Sequence, residues 1–542
     1  MRSNTYIGLT IGPIVKTLQS SRRTGELWGA SYIFSYIMKK ISEKIINEIC
    51  GEDNFIIPYI GDKEIFTDNN EVGVFHDRLI FRSEGENDLK KLPKIVNSVL
   101  NQISKKISED LDENYDLVNN FVKSYFQIYF LEVEIKLESK ENIILTMSKY
   151  LDVIELREDF VTCEEDGKNY ILNLLTNENI KKSFLKEDAF GKNPIWKDAF
   201  EEKHVSKYEN RYPALIEIGA SELGLKLPNE QKTDDNEDQM RHLKDKEKKK
   251  LKKVHRYVAI VQADGDAMTE VINSLSSSED YRKFSKKLFD FAKEANTKIK
   301  SYQGFTIYAG GDDLLFFAPV INNEKTIFDL LDEISNIFEG YFSEYEKKPT
   351  LSFGMSIAHH KYPLYEFLEK ARESLFINAK KFKTGNKKKN AIAFKVIKHS
   401  GQYFGNTFSK DSKAYKSFKE ILKEYADKGN EGDKEDKDDS KFLHSLQNKI
   451  IHDKKLISCI CHSEEKLKNY FYNNYNEDIH KENKSIGKYL QSVEKIIFEA
   501  SKESEFDKAI EQVYSYLKFL TFINEKDKVN ENKRKEKEKN NE

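Results

Sequence analysis

Cysteine is scarce in this chain of 542 residues: there are 4, at positions 50, 163, 459 and 461. So few thiols exclude a disulfide scaffold. Only Cys459 and Cys461 lie close together. A C-x-C pair beside His462 falls short of the spacing that zinc ligands prefer, so no zinc is expected. No apolar run approaches the roughly 18 residues of a membrane-spanning helix, and the start MRSNTYIGLTIGP lacks a signal-peptide core. These absences point to a cytoplasmic protein with no membrane partner. Charge of one sign is also lacking: 89 Lys and Arg stand against 92 Asp and Glu, a net charge of -3. No global positive field is available to grip duplex DNA unaided, and any nucleic-acid contact must be local. Neither a Walker A motif nor a Rossmann fingerprint occurs.

What is abundant is aromatic. With 35 Phe and 28 Tyr the chain can fill several cores, and at about 150 residues per domain it divides into three or four. Residues 6–11 read as an opening strand ended by Gly12-Pro13. Residues 14–48 have helical periodicity with a break near Thr24-Gly25, and residues 124–135 alternate as a strand. Residues 136–192 are mixed and mostly helical. Residues 228–253 are almost wholly polar, as in a mobile linker or a solvated helix. Helix-period segments return over 408–524, around the acidic stretch DKGNEGDKEDKDDS.

The sharpest signals lie between residues 256 and 401. An apolar strand over 257–263 ends in Asp264-Gly265-Asp266. Two helical stretches follow, and then FTIYAGGDDLLFFAPV, with Gly310-Gly311-Asp312-Asp313 between two strands. Glycines permit the tight turn of an antiparallel hairpin. If the 257 strand lies beside that hairpin, Asp264 and Asp312 converge at one sheet end. Facing carboxylates repel, and a divalent cation offsets the repulsion; hard oxygen ligands choose Mg²⁺ or Mn²⁺, with the oxygens of a nucleotide triphosphate completing the shell. Such an ion can lower the pKa of an attacking hydroxyl or clamp a leaving pyrophosphate. Gly265, Gly310 and Gly311 leave room for a nucleotide to approach the backbone. Acids and glycines are also ordinary turn residues, but an acidic strand end and an acidic turn together favour a metal site. Downstream, a strand and helix carry Arg372, Lys380 and Lys381. Lys380 is the best placed of these to meet a triphosphate.

These residues resemble a family. The opening YIGLTIGPIVKTLQSSRRTGELWGASYIFSYIM is similar to the first palm of the Cmr-type large subunit of type III-B CRISPR effector complexes. VQADGDAM, YAGGDDLLFF, LSFGMSIAHHKYPLYEFLEKARE and KNAIAFKVIKHSGQ resemble its second palm, and RYPALIEIGASELGL resembles the segment entering the linker between palms. The resemblance covers most of residues 5–410. It implies an α+β chain with two ferredoxin-like palms of the cyclase and polymerase type, a helical linker and a C-terminal helical domain. The expected division is a degenerate, nucleotide- or acceptor-binding first palm over 1–130, a linker domain without zinc cysteines over 131–255, a catalytic second palm over 256–405, a helical domain over 406–528, and a disordered tail over 529–542. The implied partners are other Cmr-type subunits, crRNA and target RNA. The implied activity is target-activated synthesis of an adenylate messenger from ATP, with Asp264 and Asp312 as metal ligands and Asp313 as the neighbouring acid.

Two departures matter. The chain starts directly in the first palm, as in the branch without an HD nuclease domain, and His76-Asp77 lacks the further ligands such a site needs, so DNA cleavage is not expected. In NNEVGVFHDRLIFRS, Asp77-Arg78 resembles a pattern that usually reads Asn-Arg in makers of cyclic oligoadenylate. A carboxylate at 77 suits the ammonium of S-adenosylmethionine, so an S-adenosylmethionine–AMP conjugate is the favoured product. A cyclic oligoadenylate is the alternative, and a non-catalytic scaffold the other.

Overall fold

The structure, a computed structural model, describes residues 3–61, 64–67, 71–136, 142–157, 159–161, 167–196, 211–225, 227, 239–384, 387–427, 435–474, 484–503 and 505–525. Two sheets organise it, and they share one plan. In the first, β1 (Ser3–Gly12) leads through the helix Thr24–Glu48 to β2 (Phe55–Ile57) and β3 (Arg78–Arg82), and the helix Asp88–Leu111 leads to β4 (Gln127–Lys136). The strand order is β2-β3-β1-β4, every pair antiparallel. In the second, β5 (Tyr257–Asp266), the helix Ser278–Ser301, β6 (Phe305–Gly310), β7 (Asp313–Pro319), the helix Ile327–Tyr341 and the strand Thr350–His359 repeat that path. Here Thr350–His359 pairs β5, β5 pairs β7 and β7 pairs β6, again antiparallel. Both are ferredoxin-like β-α-β-β-α-β units.

Local chemistry explains the elements. Tyr257 to Val261 and Ala263 are buried on both faces of β5, as befits a strand covered on either side. Ser277 and Asp280 cap the helix Ser278–Ser301 reciprocally, the Asp280 amide donating to Ser277 Oγ at 3.1 Å and the Ser277 amide to Asp280 Oδ2 at 2.9 Å. Its buried face carries Tyr281, Phe284, Leu288, Phe291, Ala295 and Ile299, at the three- and four-residue spacing of an apolar stripe.

Several boundaries differ from the sequence reading. The first helical stretch is two helices, Ile14–Gln19 and Thr24–Glu48, so the break lies ahead of Thr24-Gly25. Strand β4 runs across residue 130, because every residue from 127 to 136 pairs with β1. The second sheet gains Ala391–Ile397, parallel to Thr350–His359, and then Tyr403–Ser409, which carries the palm past residue 405. The polar stretch around 240–251 is not wholly solvated: Met240, Leu243 and Leu251 are buried with Ile216, Leu223 and Leu225 in a small satellite core. Residues 228–238 and the 529–542 tail lie outside the described residues. Helices Lys413–Asp427 and Phe506–Asn524 dock on the second palm through Phe328, whose ring centroid is 5.0 Å from Phe519 and 5.6 Å from Phe418. Among the described residues no helix is long and apolar enough to cross a membrane.

Candidate nucleotide site between the palms

β5 and the β6–β7 turn bring the acids together. Ala263 pairs with Leu314, and Gly310 with Asp313, so the next step along β5 sets Asp264 beside Asp313. The two carboxyls lie close enough to interact directly. Burial and the charges of Asp312 and Asp264 hold the Asp313 carboxyl well above its ordinary range. Burial and the Asp264 charge push Asp312 up to about 6. Solvent nonetheless reaches Asp313, while Asp312 and Asp264 are half-buried.

Asp266, two residues on, has a different task, one that its place in the Asp-Gly-Asp motif did not reveal. Its carboxylate is buried and accepts from Ser352 Oγ at 2.6 Å, Thr350 Oγ1 at 3.1 Å, the Asn390 amide at 3.0 Å and Lys380 Nζ at 2.9 Å. It anchors the sheet end and aims Lys380. That lysine follows a π-helical turn, Ser374–Ala379, at the end of the helix Leu364–Glu373. Lys380 also contacts the Asp264 carboxylate and donates to the Asp264 carbonyl at 2.8 Å. It is therefore a charge partner of the acidic strand end.

The first palm reaches the same turn. Asp77 lies within electrostatic reach of Asp313 and Tyr308, and burial raises its carboxyl against the lowering effect of Arg78. Arg78 turns elsewhere: its Nε donates to Glu155 Oε1 at 2.8 Å, and Nη2 lies 2.8 Å from Asp152 Oδ1. The structure thus gathers Asp264, Gly265, Gly310, Gly311, Asp312, Asp313, Lys380 and Asp77, and commits Arg78 to ion pairs with Asp152 and Glu155, which follow the first palm in the chain. His76 was set aside in the sequence reading. Its ring fills the space a Cβ on Gly311 would need, with Nε2 3.1 Å from that position, and burial lowers its pKa to about 4.

The donor set suits a hard divalent cation. Mg²⁺ is commonly held by one or two carboxylates plus substrate phosphates and waters, and adjacent acids with raised pKa values are what such an ion would neutralise. Among the described residues no group of three or more His, Cys, Asp and Glu side chains is placed to hold a metal ion. Two carboxylates would leave the rest of a shell to substrate phosphates and water.

Paired ferredoxin-like units with acids at the strand ends of one define a two-palm fold. Residues 6–117 match the family model described as CRISPR-associated protein Cmr2, N-terminal, and residues 257–393 the one described as Cas10/Cmr2, second palm domain. Both matched segments are thus similar to Cas10/Cmr2-type CRISPR palm domains, as the motifs implied. A curated relative, CRISPR system Cmr subunit Cmr2 of Pyrococcus furiosus, is 30% identical over 175 residues, which span 28% of this chain and 19% of that protein. The fold is similar to one in the type III-B Cmr-beta apo-state structure, with a TM-score of 0.52, 12% identity, and coverage of 97% of this chain and 82% of that one. It is also similar to one in a Csm1-Csm4 subcomplex of the type III-A Csm interference complex, with a TM-score of 0.51, 11% identity, and coverage of 95% and 70%. At such identities the likeness is one of fold.

Proposed function

We propose that this chain is a metal-dependent nucleotidyltransferase that joins adenylates from ATP within a type III CRISPR ribonucleoprotein, alongside other Cmr-type subunits, crRNA and target RNA. The observation that carries this reading is the convergence of Asp264, Asp312 and Asp313 at the sheet end, within reach of Asp77 from the first palm. Asp264 and Asp312 would hold a Mg²⁺ or Mn²⁺ ion. When bound, such an ion supplies charge neutralisation at a triphosphate and acidifies a hydroxyl. The space beside Gly310 and Gly311, expected to admit a nucleotide, is taken instead by the Tyr308 and His76 rings, and Asp266 with Lys380 holds the strand end rigid. The ribose hydroxyl of one ATP attacks the α-phosphorus of another, pyrophosphate leaves, and the hydroxyl proton passes to the carboxylate cluster.

For the product, we place an oligoadenylate, cyclic on completion, ahead of the S-adenosylmethionine conjugate that Asp77 suggested. Two palms of identical topology favour two ligands of one kind, and the conjugate rests on Asp77 alone. Mass spectrometry of products from the reconstituted complex tests both, using crRNA, cognate target RNA, Mn²⁺ and ATP, with and without S-adenosylmethionine. Oligoadenylates formed from ATP alone support this reading. Product that requires the acceptor restores the conjugate, and no adenylate product from a target-engaged complex makes the chain a scaffold.

A further inference from the structure

The connection between β2 and β3 leaves the first palm and reaches the turn that carries the acids. Its described part is fastened on both sides. On the first palm, Trp28 Nε1 donates to the Glu71 carbonyl at 2.9 Å, the Phe75 amide donates to Ser35 Oγ at 2.9 Å, and the Ile11 amide donates to the Asp77 carbonyl at 3.1 Å. On the second palm, Glu71 pairs with Lys300 and Gly73 forms a parallel bridge with Tyr308. Val72, Val74 and Phe75 are buried between these anchors.

The segment ends against the acidic turn itself. A Cβ on Gly310 would collide with the Tyr308 phenol, and one on Gly311 with the His76 imidazole. Gly311 also has φ +63°, a left-handed conformation that glycine adopts without strain. The two glycines are thus wedged between two rings, one from each palm. Asp312 and Asp313 follow immediately, so their aim toward Asp264 is set by a clamp whose outer jaw belongs to the first palm.

We propose that His76 is a positioning residue for the acidic turn, so that movement of the first palm relative to the second re-aims Asp312 and Asp313. The inference rests on the reading of that turn as the reacting site, but the clamp can be tested apart from it. Amide hydrogen exchange of the full-length chain reads the turn directly, and Mn²⁺ affinity, measured by electron paramagnetic resonance without ATP, reads the acids. His76→Ala is expected to speed exchange over residues 305–316 by about tenfold while 350–359 is unchanged, and to weaken Mn²⁺ binding by about tenfold. His76→Phe, which keeps a flat ring, is expected to restore both. Should His76→Ala not fold, His76→Leu keeps the volume without the flat ring, and its turn must also exchange faster. Unchanged turn exchange in these variants, or loosening spread evenly over both sheets without rescue by His76→Phe, overturns the proposal. If Asp264→Asn leaves wild-type Mn²⁺ affinity intact, the metal-site reading fails, while exchange at the turn still decides the role of His76.

Discussion

The two palms have the same topology and opposite electrostatics. Thr10 pairs with Arg78 across β1 and β3, and the next step beyond Ala263–Leu314 sets Asp264 opposite Asp313. By this register Thr10 stands where the second palm has Asp264, Arg78 where it has Asp313, and Asp77 where it has Asp312. In the first palm the three positions hold one acid, one hydroxyl and one cation. Thr10 Oγ1 donates to Glu155 at 2.5 Å and Arg78 pairs with the same carboxylate, so the sheet end is satisfied from within. In the second palm the equivalent positions hold three acids, the charges around them raising Asp312 and Asp313, with Lys380 touching only Asp264 of the three. One scaffold has settled its charge; the other leaves a surplus for a ligand to balance. Their turns differ in the same spirit. Two residues, Gly311 and Asp312, separate β6 from β7, whereas residues 58–77 separate β2 from β3 and extend to the neighbouring palm.

The largest test of this contrast swaps chemistry at equivalent positions. Asp264→Asn keeps the shape and removes the charge, and is expected to lower adenylate output by about a thousandfold. Thr10→Val, at the matching place in the first palm, loses a hydrogen bond worth about 1 kcal/mol and is expected to change output by less than about threefold. Initial rates in the reconstituted complex read both. A comparable loss from the two variants would mean that the palms share the reaction rather than divide it.

The acidic half of this contrast was legible in the sequence because it is local. Asp264 ends an apolar strand and Asp312 and Asp313 sit in a glycine turn, so composition and spacing placed all three. The strands of both palms were legible for the same reason, through alternation and apolar runs. What escaped depends on pairs far apart in the chain. Arg78 meets Glu155 across 77 residues, and nothing near residue 78 distinguishes a guanidinium held by its own chain from one aimed at a nucleotide. His76 meets Gly311 through a connection with no periodicity to read. Asp266 lay in plain view, but its partners come from positions 350, 352, 380 and 390. Only the assembled sheet shows that the second acid of Asp-Gly-Asp is structural support for the first.

A second test compares how each palm carries the element over its sheet. Both rely on a glycine, with different tolerances. A Cβ on Gly354 would collide with the Leu375 backbone nitrogen and lie 2.5 Å from the Ala371 carbonyl oxygen. Backbone cannot yield without moving the π-helical turn that delivers Lys380. A Cβ on Gly8 would meet the Met147 methyl at 2.9 Å and Leu151 Cδ2 at 3.2 Å, side-chain ends that can rotate away. Gly354→Ala is expected to cost about 3 kcal/mol and Gly8→Ala about 1 kcal/mol in denaturant unfolding. Equal costs would show that the first palm is packed as rigidly as the second.

The smallest expected effect is in the pH dependence of stability without added divalent ions. A carboxyl whose pKa is higher in the folded chain than in the unfolded one keeps its proton more tightly when folded. Stability then falls as pH rises from the unfolded value, about 4, through the folded one, and is flat above it. With Asp312 pushed up to about 6, the fall belongs between about pH 4 and 6, the reverse of a salt-bridged acid. Asp313 is raised as well, by burial and by the charges of Asp312 and Asp264, and its contribution has the same sign. Asp77 is raised as well, but the adjacent Arg78 works against the shift, so the first palm contributes less. Thermal melts should therefore decline with pH in wild type, by about 2–4 °C across this window. The decline should flatten clearly in Asp312→Asn and only slightly in Asp77→Asn. Mn²⁺ added at pH 7 should reverse it in wild type and fail to do so in Asp312→Asn. A melt that flattens equally in both variants would place the charge surplus in both palms, and the asymmetry between the palms would then be one of shape alone.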